Sequence, residues 1–169
     1  MMFMKLLITG TPGTGKTLIA RELGKYLKSK VINEKDFALK NKLGYFNDEN
    51  ELEIPVLQLQ KKVNSFLLKN KKVIFEGHVF CETKIKVDLV IVLKIDPEEL
   101  ELRLERRKYS PEKLMDNVFC EGIEYCLKHV KKNYPKNKVI QINSNPNFKI
   151  TLANILVELG EKGFFEAKK

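Results

Sequence analysis

The chain has 169 residues and a formal net charge of +9 at pH 7, from 31 lysines and arginines against 22 aspartates and glutamates. Hydrophobic residues make up 43% and charged residues 31%, which excludes a mostly disordered chain, and no apolar run approaches the roughly 20 residues of a membrane helix. The length predicts one domain with a real core, and the basic surplus favours anionic partners such as nucleotide phosphates or RNA.

The apolar N-terminal segment has no basic stretch in front and ends in Gly10-Thr11-Pro12-Gly13, so a signal peptide is not expected. The cysteines are odd in number and include no Cys-x-x-Cys pair; they are Cys81, Cys120 and Cys126. They predict neither a disulfide framework nor a zinc site. A reducing cytoplasm is therefore the expected location.

Strand signals alternate with helix signals along the chain. The predicted strands are the apolar runs at residues 4–9, 31–32, 73–75, 87–95 and 139–142. The predicted helices lie at residues 17–27, 54–68, 97–107, 113–132 and 149–159. This alternation predicts an α/β fold in three layers, a five-stranded parallel sheet with helices on both faces.

Local signals refine three parts of this prediction. Pro55 suits a first helical turn, and the helix at 97–107 has Asp96 as its cap, Pro97 at its start and Glu99 at the capping-box position. Residues 33–53 and 106–117 lack a strong apolar pattern and are the natural places for mobile lids. The tail at 161–169 looks dispensable, although Phe164 and Phe165 are candidates to dock on the core.

The segment GTPGTGKT at residues 10–17 fits the phosphate-loop pattern G-x-x-x-x-G-K-[ST], between a predicted strand and a predicted helix. Its glycines let backbone N–H groups point at phosphate oxygens, and the helix N-terminus adds positive charge. We expect Lys16 to reach the β- and γ-phosphates and the Thr17 hydroxyl to ligate Mg²⁺. The residues predicted to bind ATP in this loop are Gly13, Thr14, Gly15, Lys16, Thr17 and Leu18. The alternative is a glycine-rich turn with no ligand.

The spacing of the third glycine, Gly15, resembles small-metabolite and nucleoside monophosphate (NMP) kinases. A GTPase would need an Asn-Lys-x-Asp base reader, and Asn137-Lys138-Val139-Ile140 lacks the Asp. A helicase or a large ring ATPase would need a longer chain. These observations favour a small phosphotransferase.

The third predicted strand along the chain leads directly into Glu76-Gly77-His78. Ligands of open α/β sheets bind at this carboxyl edge, so a carboxylate of Glu76 can hold a water of the Mg²⁺ shell. The alternative for Glu76 is a capping or salt-bridging residue. His78 is a candidate base or a positioner of the γ-phosphate or of water, and the alternative is a packed histidine.

Phosphoryl transfer also needs cations on the transferring group. Arg103, Arg106 and Arg107 share one face at the end of a predicted helix. Glu99 is a structural partner for Arg103, whereas Arg107 has Arg103 four residues before it. Such a like-charge pair is best explained by an anion between the two cations. We therefore predict that Arg103 and Arg107 bind nucleotide phosphates and that Arg107 is also catalytic.

Four stretches together resemble the archaeal and eukaryotic adenylate kinase-like family of small ribosomal subunit maturation, the isoenzyme-6 type. They are the phosphate loop, Glu76-Gly77-His78, Arg107-Lys108-Tyr109 and the pattern Lys113-Leu114-x-x-Asn117-Val118-x-x-Glu121. The resemblance implies one P-loop NMP kinase domain over residues 1–169, with an NMP-binding segment near 30–53 and a lid near 106–116.

The same resemblance implies ATP and Mg²⁺ as cofactors and phosphate transfer from ATP to AMP or another NMP, together with ATPase activity. It further implies a platform protein of the small ribosomal subunit and pre-rRNA as partners, no membrane association, and a role in rRNA maturation. Lys16, Glu76, His78 and Arg107 would be catalytic, and Thr17 and Glu76 would hold the metal.

Two positions depart from the family's pattern. Its acidic residue before x-His is usually Asp, and Glu76 here extends the carboxylate by roughly 1.5 Å, one bond length. The NMP-binding segment has no Arg for the acceptor phosphate, so Lys40 and Lys42 are the candidates to replace it as point charges. Three functions stay open: an NMP kinase, an assembly ATPase with little kinase activity, and a kinase of another small metabolite.

Overall fold

A computed structural model describes residues 4–165 of the chain. Within them, five strands form the main sheet: β1 Met4–Thr9, β2 Lys30–Asn33, β5 Lys72–Glu76, β6 Leu89–Lys94 and β7 Val139–Asn143. Their spatial order is β2, β5, β1, β6, β7, and every neighbouring pair is parallel. A small antiparallel hairpin consists of β3 Tyr45–Phe46 and β4 Leu52–Glu53.

The described residues form seven α-helices. They are α1 Lys16–Leu27, α2 Glu34–Lys40, α3 Val56–Lys69, α4 Pro97–Arg106, α5 Pro111–Gly122, α6 Tyr125–Asn133 and α7 Phe148–Glu161. Short 3-10 turns occupy Val79–Glu82 after β5 and Lys136–Lys138 before β7.

The sheet separates two apolar cores because successive side chains of each strand point to opposite faces. Leu7 and Phe75 belong to one core, which is covered by α2, α3 and α6. Leu6 and Ile74 belong to the other, which is covered by α1 and α7. A smaller cluster joins α4 to α5 through Leu100, Leu104 and Leu114. Helices thus cover both faces of a five-stranded parallel sheet, which confirms the predicted α/β fold in three layers.

All five predicted strands are present, with ends that differ by up to two residues. Asp96 caps α4 as predicted, because its carboxylate accepts a hydrogen bond from the backbone N–H of Glu98 at 2.9 Å. The capping box is not closed: the carboxylate of Glu99 accepts from Arg103 instead. Pro55 precedes the first turn of α3 as its N-cap.

One predicted helix is wrong in detail, and one stretch without a predicted element contains a helix. The single helix predicted at 113–132 is two helices, α5 and α6, separated at Ile123 and Glu124, where Glu124 has a left-handed φ of 58°. The patternless stretch at 33–53 contains α2, which Asn33 caps through hydrogen bonds from two backbone N–H groups. A helix of seven residues buries too few apolar side chains to produce a visible period.

The C-terminal tail contacts the core as expected. Phe164 and Phe165 pack against the core beneath α1 and α7, and the ring of Phe165 lies edge-on to Tyr26 with centroids 6.4 Å apart. Residues 166–169 of the predicted tail and residues 1–3 lie outside the described part. Between residues 4 and 165, no helix combines the length and apolar character needed to cross a membrane.

Candidate active site

The phosphate loop connects β1 to α1 at the carboxyl edge of the sheet. Gly13 has a left-handed φ of 96°, and a Cβ there would lie 2.7 Å from a methyl carbon of Leu100 and 2.9 Å from one of Leu104. A side chain at this position would therefore collide with α4 as well as strain the backbone. Gly15, also left-handed with φ 92°, is the N-cap of α1.

Side chains of two other parts of the chain hold the loop from two sides. The hydroxyl of Ser144, just after β7, donates to the carbonyl of Thr14 at 2.8 Å. The hydroxyl of Thr11 donates to the Glu121 carboxylate at 2.6 Å. That carboxylate also accepts from the Ile95 backbone N–H at 3.0 Å and pairs with Lys94 at 3.2 Å. The end of α5 is thus tied to the phosphate loop.

Lys16 is buried inside the loop, with 8% of its surface exposed. Its ammonium donates to the backbone carbonyl of Thr11 at 3.0 Å. Burial lowers the pKa of Lys16, and the nearby carboxylates of Glu34 and Glu76 oppose that effect. A cation that is buried in the loop, with little water around it, is suited to hold phosphate oxygens.

Glu76 lies at the end of β5, 2% exposed, next to the start of α1. Its Oε1 accepts from the Thr17 hydroxyl at 3.2 Å and from the Asn33 side-chain amide at 2.6 Å. Within residues 4–165, Glu76 forms no ion pair closer than 4 Å and caps no helix, so neither structural alternative describes it.

The oxygens of Thr17 and Glu76 fit Mg²⁺, which prefers hard oxygen ligands and keeps several waters. The described residues contain no cluster of three or more His, Cys, Asp or Glu side chains for a metal. Mg²⁺ that reaches proteins together with nucleotide phosphates needs no such cluster, because phosphates and waters supply its remaining ligands. The donor set is therefore compatible with a nucleotide-bound Mg²⁺.

His78 is half-exposed, with 54% of its side chain accessible, and so is not a packed core histidine. Its Nδ1 lies 3.1 Å from Oε1 of Glu34, the first residue of α2. The buried Glu34 carboxylate also accepts from three successive backbone N–H groups, those of His78, Val79 and Phe80, at 3.0 to 3.2 Å. Glu34 therefore fixes both the imidazole and the backbone that carries it, and Nε2 is left for a ligand.

The two arginines at the end of α4 differ in their contacts. Arg103 donates to the Glu99 carboxylate at 3.1 Å, to the carbonyl of Gly13 at 3.3 Å and to the hydroxyl of Ser144 at 3.4 Å. Arg107 directly follows α4 as its C-cap, is exposed, and makes no hydrogen bond or ion pair through its guanidinium among the contacts described for residues 4–165. Arg103 thus supports the loop, whereas Arg107 has a free guanidinium.

A cavity of about 500 Å³ brings most of the predicted site together. The predicted residues that line it are Gly13, Gly15, Lys16, Thr17, Leu18, Glu76, His78, Arg103 and Arg107. Thr14 is fully buried in the loop and does not line the cavity. A smaller pocket of about 180 Å³ adjoins it at Gly15, Leu18 and Arg103 and is walled by Arg106 and Pro146.

A second cleft, of about 680 Å³, shares Pro12, Glu34, His78 and Tyr109 with the phosphate-loop cavity. Its far wall is the loop of the β3–β4 hairpin, and α5 forms a side wall. Lys113 of α5 forms an ion pair with Glu51 of that loop. This ion pair raises the pKa of Lys113. His78 thus lies where two cavities meet.

The two lysines considered for an acceptor phosphate do not line this cleft. Lys40 lines a different groove, between α2 and α3, and Lys42 is exposed on the turn after α2 with a left-handed φ of 54°. Lys35 and Lys113 are the lysines that line the cleft. The sequence placed Lys35, Lys40 and Lys42 in one segment, but it did not show that only Lys35 of the three lines the cleft.

Sequence reasoning missed several residues of the site, namely Asn33, Glu34, Lys35, Glu121 and Ser144. A signal existed for three of them. Asn33 and Glu34 directly follow the predicted strand at 31–32, and Ser144 follows the strand at 139–142 closely. Residues that follow parallel strands meet at one sheet edge, so a polar residue there is a candidate ligand contact. Glu121 ends one of the patterns that carry the family resemblance, but its contact with the phosphate loop was not predicted, because its partner Thr11 is 110 residues away.

Comparison with known proteins places these features in context. A family model described as an AAA domain matches residues 6–124. A Pyrococcus furiosus protein named "Putative adenylate kinase" is 40% identical over 124 residues, 73% of this chain and 67% of that protein. A Dictyostelium discoideum protein named adenylate kinase isoenzyme 6 homolog is 33% identical over 146 residues, 82% of this chain and 81% of that protein. A crystal structure of shikimate kinase from Bacteroides thetaiotaomicron has a TM-score of 0.62 at 14% identity, covering 94% and 97% of the two chains, and shows the fold alone.

Proposed function

This chain belongs to the adenylate kinase-like family of P-loop kinases, and we propose that it transfers the terminal phosphate of ATP to a nucleoside monophosphate, with AMP as the acceptor. The observation that carries the proposal is the meeting of two cavities at His78. One is built on the phosphate loop and suits the donor. The other lies between the hairpin and α5 and suits the acceptor. The transferred group would pass between them.

On the donor side, backbone N–H groups of the loop would surround the phosphates, and Lys16 would neutralise charge on the β- and γ-oxygens. The pocket beside Arg106 and Pro146 suits the nucleobase, because it joins the phosphate-loop cavity at Leu18. Arg107, whose guanidinium is free, would reach the equatorial oxygens of the transferring group, where charge builds in the transition state.

Thr17 and Glu76 would hold the Mg²⁺ that accompanies ATP, Thr17 directly and Glu76 through water. When bound, the metal would neutralise negative charge on the ATP phosphates. Asn33 would keep the Glu76 carboxylate oriented, because its amide donates to the same oxygen that Thr17 contacts.

On the acceptor side, Lys35 and Lys113 supply the cations that the missing arginine would otherwise provide. Lys113 is held by Glu51 in this structure, so an arriving phosphate would compete with that carboxylate for the ammonium. Because Glu51 lies on the hairpin loop and Lys113 lies on α5, this competition would couple acceptor binding to movement of the loop relative to α5. On this proposal the NMP-binding segment and the lid act as the two walls of the acceptor cleft.

A dedicated ATPase is the second candidate function, and one specific observation favours it. The acceptor cleft offers only lysines, which lack the bidentate fork of arginine.

The wider role proposed with either activity is maturation of the small ribosomal subunit and its rRNA. It rests on the sequence resemblance, and recovery of small-subunit components with the tagged protein would support it, whereas recovery equal to that of an untagged control would remove it.

Product analysis with Mg-ATP, with and without AMP, separates the two activities. Because the acceptor cleft adjoins His78, we expect AMP to be converted to ADP with little release of free phosphate. Chromatography of the nucleotides and a phosphate assay on the same samples give both quantities. Free phosphate released at the same rate with and without AMP would contradict the kinase and leave the ATPase.

Replacement of Arg107 by alanine is expected to lower kcat by about 100-fold and to change ATP affinity little, because its guanidinium acts on charge that develops in the transition state. Steady-state kinetics at saturating ATP measures this. The control is Lys108→Gln, which removes a neighbouring exposed cation that lines neither cavity. Equal loss in both variants would mean that general charge, not Arg107, supports turnover.

A further inference from the structure

A groove runs along the open edge of the main sheet, with a volume of about 570 Å³. All four residues of β2, Lys30–Asn33, line it, and it shares only Asn33 with the phosphate-loop cavity. Consecutive strand residues point to opposite faces, so a cavity that contacts all four must follow the strand's edge rather than one face. We call this cavity the β2 groove.

The edge beside the β2 groove has unused backbone hydrogen-bonding groups. β2 is the last strand of the sheet and pairs only with β5 among the described residues. An edge strand of this kind is a template for another extended segment, unless charge or a covering element prevents it. Here α2 and α3 form the far walls and leave a space next to the edge instead of closing it.

The floor of the groove is apolar, and its rim is basic. Ile32 and the rings of Phe37 and Phe66 line the floor, with the two ring centroids 5.8 Å apart in an edge-to-face contact. Four exposed lysines line the rim, against the single acid Asp36; they are Lys30, Lys40, Lys62 and Lys69. None of the four takes part in the ion pairs described within residues 4–165. The groove therefore carries an excess of positive charge that no described ion pair neutralises.

We propose that the β2 groove binds an extended acidic segment of a partner protein, which adds a sixth strand beside β2. Backbone groups of the segment would pair with the free edge of β2. Alternate side chains of the segment would point to opposite faces, and those on the face that α2 and α3 cover would reach the groove. On that face, acidic side chains would meet the lysines and apolar ones would meet the Phe66 ring. This site is separate from the proposed kinase chemistry and does not depend on it.

Two other occupants fit the groove less well. A second copy of the chain pairing through its own β2 would bring Lys30 and the rim lysines of both copies together, which like-charge repulsion disfavours. Single-stranded nucleic acid binds where exposed aromatic faces stack its bases. Phe37 is buried, and Phe66 is already in edge-to-face contact with Phe37 and Phe75. A peptide uses the strand edge, which a nucleic acid would leave unpaired.

Binding of a fluorescent peptide, about eight residues long, tests the proposal by anisotropy on the full chain. Every second residue of the peptide, on the face toward the groove, is aspartate or valine in turn, and the residues between them are threonine. We expect saturable binding that weakens as salt is raised, since exposed charges are screened. The double variant Lys62→Glu with Lys69→Glu is expected to lose at least about tenfold in affinity, since it reverses two rim charges. The control, Lys61→Glu with Lys131→Glu, makes the same change in net charge away from the groove and is expected to bind like the wild type.

Backbone chemistry separates strand addition from charge attraction alone. The same peptide with alternate N-methylated residues keeps its side chains but loses backbone donors, and we expect it to bind at least about tenfold more weakly. Equal binding of the methylated peptide, equal loss in both double variants, or no binding of the acidic peptide would overturn the proposal. Binding of oligouridylate that the groove variant abolishes, without peptide binding, would assign the groove to nucleic acid instead.

Discussion

Replacement of Lys16 by methionine is expected to reduce nucleotide turnover by at least about 100-fold, the cost of removing one preorganised cation or donor from a charged transition state. Methionine keeps most of the aliphatic stem, so the loop retains its filling while the ammonium is lost. The ammonium lies inside the loop, 3.0 Å from the Thr11 carbonyl, where no other lysine lines the cavity. Initial rates of ADP formation with Mg-ATP measure the loss, with AMP present and with AMP absent.

The matched control is Lys61→Met, which removes an exposed lysine of α3 that lines neither the phosphate-loop cavity nor the acceptor cleft. Its turnover is expected to equal that of the wild type. Turnover near the wild-type rate in Lys16→Met would remove the phosphate-loop basis of the proposed function, whichever product is formed.

Thermal unfolding of the same variant distinguishes lost chemistry from lost structure. Burial lowers the pKa of Lys16, so the unfolded chain holds this proton more tightly than the folded chain. At pH values below the folded-state pKa of Lys16, the buried charge therefore lowers the free energy of unfolding. This penalty shrinks as the pH rises above that pKa. Lys16→Met has no such cost. Its Tm is expected to equal or exceed that of the wild type at neutral pH, with the difference shrinking in alkali.

The centre of the sheet was predictable because β1, β5 and β6 are buried on both faces. β6 begins with five consecutive apolar residues, all of them buried, so it can be recognised as a strand without knowledge of its neighbours. α2 shows the limit of this reasoning. Only Glu34, Phe37 and Ala38 of its seven residues are buried, and what makes it a helix is packing against β2 and α3 together with the Asn33 cap. Those tertiary contacts have no local signature.

The active site was predictable where one segment carries its own chemistry. The phosphate loop combines its turn, its cation and its helix N-terminus within residues 10–17, and Arg107 and His78 follow elements that end at the same sheet edge. Glu34 was missed because its role depends on a second chain segment. Its carboxylate accepts hydrogen bonds from the backbone at residues 78–80, which lies about 45 positions further along the chain. Pairings of that kind need the fold.

Replacement of His78 by alanine is expected to lower kcat by about 100-fold while ATP affinity stays nearly unchanged, the range that general acid–base residues contribute. The reason is its place where the two cavities meet, with Nε2 free and the ring half-exposed. Rates at saturating ATP, together with a binding titration, separate the two effects. His129→Ala is the control, since this second histidine contacts the Tyr125 ring, with the two rings tilted by 46°, and lines neither cavity.

Glu34→Gln then tests whether the carboxylate acts through His78 or only supports the fold. A positioning role predicts that this change lowers kcat in the wild-type background and leaves ATP affinity nearly unchanged, because the hydrogen bond at Nδ1 fixes the orientation and the tautomer of the imidazole. In the His78→Ala background the same change is expected to have almost no further effect, as for residues that act as a unit. Equal losses in both backgrounds would instead assign Glu34 to holding the backbone after β5. Glu34 accepts hydrogen bonds from three backbone N–H groups, so in that case the substitution would loosen the segment after β5 without acting on proton transfer. A lower Tm in both backgrounds would show this.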